Sequence, residues 1–326
     1  MRTFLSVLKN NYYRAVPRIG PLILITVVTL ASMLFAVYMT GVQQVKGHVV
    51  VVSSGSSANL PKSSRLLDVT VLPEKPPYSE LVKQRYDAYI TPTSNGSYQI
   101  ETLRSEDYKK MIFLLLSNPD ARLPADQTDR GVGVNIIGFM MMFVLMLAFA
   151  NLFAFADDKE QGQLSRIAVS PASFGCYLAA HCAYGLSFLL PEFLLLVILK
   201  QLGWNIGFTI LQYAGLMAVL GFLGISLALL LNTLIHKPDN ANMLGNSVTV
   251  LTSVLAGSFY SFSNKNAVLD HVIRLLPQKE VLDFAQALQN GVGGKNAGSI
   301  LYAIVFSLAL FVVSCTVLQR MYVKRA

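Results

Sequence analysis

Charge is scarce in this chain: 13% of its 326 residues are Asp, Glu, Lys or Arg, against 53% hydrophobic. That composition excludes an ordinary soluble domain and reads as a polytopic membrane protein. Cysteine is scarce too. Cys176, Cys182 and Cys315 all fall in apolar runs, so neither a disulfide framework nor a thiolate metal site is implied. The four histidines, His48, His181, His236 and His271, are scattered over separate segments. With no H-E-x-x-H and no G-x-S-x-G, no catalytic constellation forms. The nearest approach to a phosphate loop is Gly291-Val292-Gly293-Gly294-Lys295-Asn296. It fails, because Gln289 stands where the first glycine belongs and Asn296 replaces the required Ser or Thr. No cofactor, metal or enzymatic activity is therefore expected of this chain itself.

What is present is a series of long apolar runs. The first, Ile19 to Thr40, has the ~20 residues that a bilayer core needs. Its long preceding segment and the lack of an A-x-A site argue for a retained span over a cleaved signal. Five more follow, at about Val134–Phe155, Cys176–Leu199, Ile206–Leu234, Leu244–Phe262 and Gly298–Leu318. The expected fold is thus a membrane all-α bundle of six transmembrane helices. Before the first, residues 1–18 place Phe4, Leu5, Leu8, Tyr12 and Ala15 on one helical face and Arg2, Ser6, Lys9 and Asn10 on the other, the pattern of an interfacial elbow helix.

Basic residues set the orientation. The net charge of +8 would suit nucleic acid, but residues 42–133 hold eleven Lys/Arg against ten Asp/Glu, so the excess flanks the spans. Arg2, Lys9, Arg14 and Arg18 precede the first span, and Arg320, Lys324 and Arg325 follow the last. An even count of spans then puts both termini in the cytoplasm of a cell-membrane protein. Residues 42–133 fall outside, and residues 156–173 fall inside.

The outer segment, 42–133, has β-rich stretches at His48–Ser53, Leu67–Leu72, Ala88–Thr91 and Tyr98–Leu103, with helical pieces at Tyr78–Tyr86 and Glu106–Leu116. It reads as a small extracytoplasmic α/β domain. The sequon Asn95-Gly96-Ser97 lies in a turn-rich stretch of it and is taken as coincidental. A second external segment, 263–297, carries two apolar patches. Val268, Leu269, Val272, Ile273, Leu275 and Leu276 make the first, and Val281, Leu282, Ala285 and Leu288 the second. They fit two short helices, either re-entering the membrane or lying flat on it.

Within the spans the candidate substrate-path residues are few. Glu192, after Pro191, is the only acid in any run, and an intramembrane ionisable group is a functional candidate. It lies two turns before Lys200, close enough to the run's end to snorkel or pair there. In the fifth run, Asn246, Thr249, Ser253, Ala256 and Tyr260 recur at helical spacing as a polar or small stripe, suited to a path or to helix packing. The second run shows a Met and Phe stripe of Phe139, Met142, Phe143, Met146, Phe149 and Phe153, suited to lipid or to an apolar ligand.

The densest charge in the second half is a polar island, Ala156 to Ser173, between the second and third runs. There Glu160-x-Gly162-x-Leu164-x-Arg166, followed by Ser170-Pro171, resembles the E-x-G-T-L-x-R-x-x-x-S-P signature of ABC-2 type transporter permeases. The resemblance covers nearly the whole chain, including the Leu276-Pro277 that ends the outer apolar segment. Arg85-Tyr86-Asp87-Ala88-Tyr89-Ile90 is similar to the Tyr-Asp-Ala strand entry in the subgroup of drug, antibiotic and peptide exporters with an ectodomain. Gln163 departs from the usual Thr, and Gln278-Lys279-Glu280 from the more apolar residues that commonly follow the Pro.

The resemblance implies that the island is a coupling helix seated in a groove of a separate ATPase subunit, which would use the ATP and magnesium. It also implies a second permease subunit, the same or a similar chain. The residues suit such docking. Asp157, Asp158 and Glu160 complement a helix start, Gly162 allows close approach, Leu164 offers an apolar knob and Arg166 a guanidinium fork, and Ser170-Pro171 caps the next span. Two other readings stay open at this point. One is a membrane-anchored receptor or phage-attachment protein acting through its ectodomain; the other is a proton-coupled secondary transporter using Glu192.

Overall fold

Apolar runs without internal charge become helices, and the period-two segments become strands. The computed structural model describes residues 2–43, 47–52, 67–83, 85–92, 98–103, 106–117, 130–169, 174–259 and 267–323. The sequon at 95–97 and Tyr260 lie outside the described residues. The chain divides into two compact units, Tyr38–Asp129 and the remainder, Met1–Val37 with Arg130–Ala326.

The chain opens with α1 (Arg2–Ala15), a 3-10 turn at Val16–Arg18, and α2 (Ile19–Gln43). In the smaller unit follow β1 (Gly47–Val52), β2 (Leu67–Leu72), α3 (Ser79–Val82), β3 (Ala88–Pro92), β4 (Tyr98–Thr102) and α4 (Glu106–Ser117). The strands form one sheet in the order β2-β1-β3-β4. β1 pairs parallel with both β2 and β3, and β3 pairs antiparallel with β4. The central β1 explains its unbroken valine run. Val49 and Val51 face Ile112 and Leu116 of α4, whereas Val50 joins Leu81 of α3 and Tyr89 on the other face. A strand covered on both faces has no polar side to alternate with.

The larger unit continues with α5 (Val132–Asn151), α6 (Phe153–Glu160), α7 (Gln163–Ala168), α8 (Phe174–Ser187), α9 (Leu190–Gln201), α10 (Ile210–Leu234) and α11 (Pro238–Ala256). It closes with α12 (Ala267–Arg274), α13 (Pro277–Gln289) and α14 (Ala297–Leu318), ending in a π turn at Gln319–Val323. α5 is the hub, packed on α8, α10, α11 and α13, and its Ile136, Ile137, Met140 and Met141 are fully buried.

Among the described residues five helical stretches are long and apolar enough to cross a membrane: Thr3–Thr40, Val132–Glu160, Phe174–Gln201, Ile210–Leu234 and Gly293–Tyr322. The expected run Leu244–Phe262 is not among them. Its helix starts six residues earlier, at Pro238, which sits in the first turn where a missing N–H costs nothing. The helix stops at Ala256, because Gly257 takes a left-handed φ of 92°. Asp239, Asn240, Asn242 and Asn246 then fall inside the helix and dilute its apolarity.

Two further segments show how their side chains are placed. In α1, buried Asn11 lies beside His181 of α8, its Nδ2 3.2 Å from the ring Nδ1, and Tyr12, though partly exposed, packs edge-on to Tyr184 of α8; Phe4, Val7, Leu8, Arg14 and Ala15 are half-buried, and Leu5, Ser6, Lys9 and Asn10 are exposed. The packed face thus takes in Asn11 alongside most of the apolar one. In the 263–297 segment, α13 is inserted among α5, α10, α11 and α14, with Val281, Leu282 and Ala285 buried. Gln278 explains its own departure from apolarity: it is buried, and its Nε2 donates to Thr252 Oγ1 of α11 at 3.0 Å.

Candidate functional site

The island folds as two short helices joined by a glycine turn. Leu152 ends α5 with a single non-helical residue, and α6 continues almost in line. At the far end Gly162 adopts φ 71° and ψ 13° and starts α7. A Cβ there would meet nothing within 4 Å. Within this chain the glycine is required by its left-handed backbone, which costs other residues roughly 1–2 kcal/mol.

The three acids sit differently from expectation as well. Asp157, Asp158 and Glu160 occupy the last turn of α6, the end where the helix dipole disfavours carboxylates. Arginines from the start of the chain compensate. Arg14 Nη1 donates to Asp158 Oδ1 at 2.8 Å, and its Nη2 donates to the Ala154 carbonyl at 3.1 Å. Tyr177 Oη of α8 donates to the other oxygen of Asp158 at 2.6 Å, so both carboxylate oxygens are occupied. Arg18 Nη1 donates to Asp157 Oδ2 at 2.9 Å while its guanidinium lies 3.5 Å from the ring centre of Phe153. Asp157 and Asp158 thus bind the island to its own chain. A cleft of about 600 Å³ opens beside these pairs, lined by Asn10, Asn11, Arg14, Gln161, Gln163 and Tyr177 among others.

Leu164 is likewise turned inward. It is fully buried with Phe155, Tyr177 and Leu229, so it is a plug for this chain's core and not a knob for a partner. Such burial is worth roughly 1.5–3 kcal/mol. Among the described residues of the island the side chains left at the surface are Glu160, Gln161, Gln163, Ser165, Arg166 and the apolar Val169. Ser170 and Pro171 lie outside the described residues.

One residue the sequence did not single out is central. Lys159 is buried, and its Nζ donates to three carbonyls, of Asn232 at 2.8 Å, Thr233 at 2.6 Å and Ile235 at 3.0 Å. These are the last carbonyls of α10, where helical partners run out and a cation suits the dipole. Among the described residues no carboxylate pairs with Lys159. At the other end of α5, Arg130 donates to the Gly257 carbonyl that ends α11. Burial pulls the pKa of Arg130 below the ordinary guanidinium value, and the carboxylate of Asp283 opposes that pull. A lone lysine among acids looks like a solvated charge in sequence, and its acceptors lie 73–76 residues downstream.

The span residues do not gather into one site. Thr249, Ser253 and Ala256 are buried in the packed face of α11, and Asn246 is half-buried on it. The same face brings Gly245 against α5, where a Cβ would fall 2.1 Å from the ring of Phe149. Met142, Phe143 and Met146 are half-buried on α5, Phe149 is buried, and Phe139 packs edge-on to Phe259. Glu192 neither snorkels nor pairs. It is fully buried in the first turn of α9, and neither carboxylate oxygen has a hydrogen-bond partner from another described residue.

Comparison with known proteins agrees with the island's signature. The family described as "ABC-2 family transporter protein" matches residues 79–316, while no curated protein matches the chain. That match runs from the start of α3 almost to the end of α14, taking in the island, α10 and the α12–α13 segment. The chain is a multi-pass membrane protein and belongs to the ABC-2 family of transporter permeases, the membrane components of ABC transporters.

Proposed function

We propose that this permease is the membrane half of an ATP-driven exporter, and that α6 and α7 form the element by which a cytosolic ATPase moves it. The observation that carries the reading is the asymmetry of the island. Its inner side is fixed by Arg14, Arg18, Tyr177 and buried Leu164, while Glu160, Gln161, Gln163 and Arg166 remain at the surface. A rigidly backed polar surface suits a partner that must push on it without being absorbed. Permeases of this family work beside a cytosolic ATPase, and Arg166 has the planar fork that carboxylate recognition uses.

On this reading both termini and the island are cytoplasmic, α1 is the elbow helix, and the sheet-bearing unit lies outside. α11 completes a sixth crossing, with its lipid-facing side supplied by Met243, Leu244, Val248 and Leu251, all exposed. Two permease chains form the path. The substrate is an amphipathic antibiotic, peptide or lipid, since the spans are apolar and Met-rich and present no cluster of charges for a sugar polymer or a bare ion.

The test replaces Glu160 and Arg166 by Ala in the permease co-expressed with its ATPase. Membrane insertion should be retained while the ATPase no longer co-purifies. Undiminished co-purification and ATP-driven export by the double variant would sink the assignment.

A further inference from the structure

Movement received by the island has to reach the rest of the bundle, and α6 packs on α5, α10 and α11 besides its ties to α1 and α8 through Asp158. Lys159 adds to this packing a charged joint. A four-carbon stem carries an ammonium into the interior, where it ends on three carbonyls at the end of α10, with no acid among the described residues to neutralise it. An ammonium has three donors, and all three are used. Desolvating a charge this way is costly unless every donor is satisfied, so the lysine and the end of α10 are bound to move together.

The acceptors lie at a particular place. Asn232, Thr233 and Ile235 precede the turn at His236 and Lys237, after which α11 begins at Pro238. The two helices form a hairpin whose turn is tied to α6, and Arg130, at the opposite end of α5, ties the hairpin's other end through Gly257. Two cations flanking one helix therefore grip the C-termini of two consecutive helices. Thr233 and Asn232 also spend their own side chains on α10 carbonyls, Thr233 Oγ1 on Leu229 at 2.7 Å and Asn232 Nδ2 on Ala228 at 2.8 Å. The last turn of α10 is stiffened from both sides.

We propose that Lys159 is the positioning residue through which displacement of the island is passed to the α10–α11 hairpin. This rests on the coupling role assigned above to α6 and α7, and adds the route by which that role reaches the spans. Removing the ammonium while keeping the stem, as in Lys159→Met, would leave the island able to dock and to move, and packed on α10 through Phe155 and Leu164, but no longer bonded to the carbonyls at the end of α10.

The experiment uses the complex of permease and ATPase, with the three native cysteines replaced and a bimane fluorophore on a single introduced cysteine. One label is placed at Gln161 on the island and, in a separate preparation, one at His236 on the hairpin; both positions are exposed. Adding ATP to the unmodified complex should shift the emission of both labels. In Lys159→Met the Gln161 label should still respond and the His236 response should fall well below that of the unmodified complex. An undiminished His236 response in that variant overturns the proposal while leaving the coupling role intact. If neither label responds in the unmodified complex, the coupling role itself falls, and this route with it.

A second measurement does not depend on the variant's folding. Spin labels at Gln161 and His236 in the otherwise unmodified complex should keep one separation in nucleotide-free and ATP-bound states. A separation that changes with nucleotide contradicts a rigid joint.

Discussion

Arg14 and Asp158, 144 residues apart in sequence, meet at 2.8 Å and join α1 to the end of α6. The pair is largely withdrawn from water, with the aspartate side chain 7% exposed. Breaking such a pair by removing one partner strands the other charge, at a cost of about 3–5 kcal/mol for fully buried cases.

With Arg14 29% exposed and Asp158 still accepting from Tyr177, Arg14→Ala should destabilise the larger unit by less than that figure, and Arg14→Ala with Asp158→Asn by less again. Thermal unfolding of the detergent-purified protein, set out as a double-mutant cycle, measures the difference. Equal losses in the single and double variants would mean that the pair holds nothing.

Leu164 and Arg166, two residues apart in one signature, should behave as opposites. Leu164→Ala opens a cavity beside Phe155 and should cost about 2–5 kcal/mol. Arg166→Ala, at an exposed site, should change stability by no more than about 0.5 kcal/mol while weakening retention of the ATPase. Thermal stability and co-purification, measured on the same preparations, separate the two effects.

Gly245 marks a close approach of α11 to α5. Gly245→Ala places a methyl group against the Phe149 ring and should destabilise by roughly 1–3 kcal/mol. Phe149→Leu in the same chain should recover part of that loss. Full tolerance of the alanine would show that the two helices are not packed this tightly.

Glu192 separates the ATP-driven reading from a proton-coupled one. Its carboxylate is buried without a partner from another described residue, so Glu192→Gln keeps the shape and removes only the ability to ionise. The ATP-dependent response of a label at His236 should survive this change, and should also survive a protonophore. Loss under either condition would point to proton coupling.

Much of the fold was legible because its signals are local. The valine run at 49–52, the Tyr-Asp-Ala entry to β3 and the apolar runs are each bounded by their own Gly, Pro or polar residues. The bounds of α11 follow two such signals, Pro238 opening the helix and Gly257 closing it, and not the extent of the apolar run.

The site was legible by motif but not by role. The signature located Leu164, and Asp158 lies just before it, yet whether they face a partner or the chain's own interior depends on what packs over them. That covering comes from Tyr177, Leu229 and Arg14, which are remote in sequence. In sequence, Arg14 and Arg18 carry only a topology signal. Lys159 bonds to backbone carbonyls, and a backbone acceptor leaves no side-chain type to recognise in advance.

The account stands on one contact above all, that between the island's surface and an ATPase. A photoreactive benzophenone amino acid at Ser165 of α7, irradiated in native membranes, tests it directly. The expected result is a covalent product containing the ATPase subunit, absent when the same group is placed at Leu211, which is exposed at the far end of α10. Products with lipid alone at Ser165, or ATPase products from Leu211, would contradict the assignment.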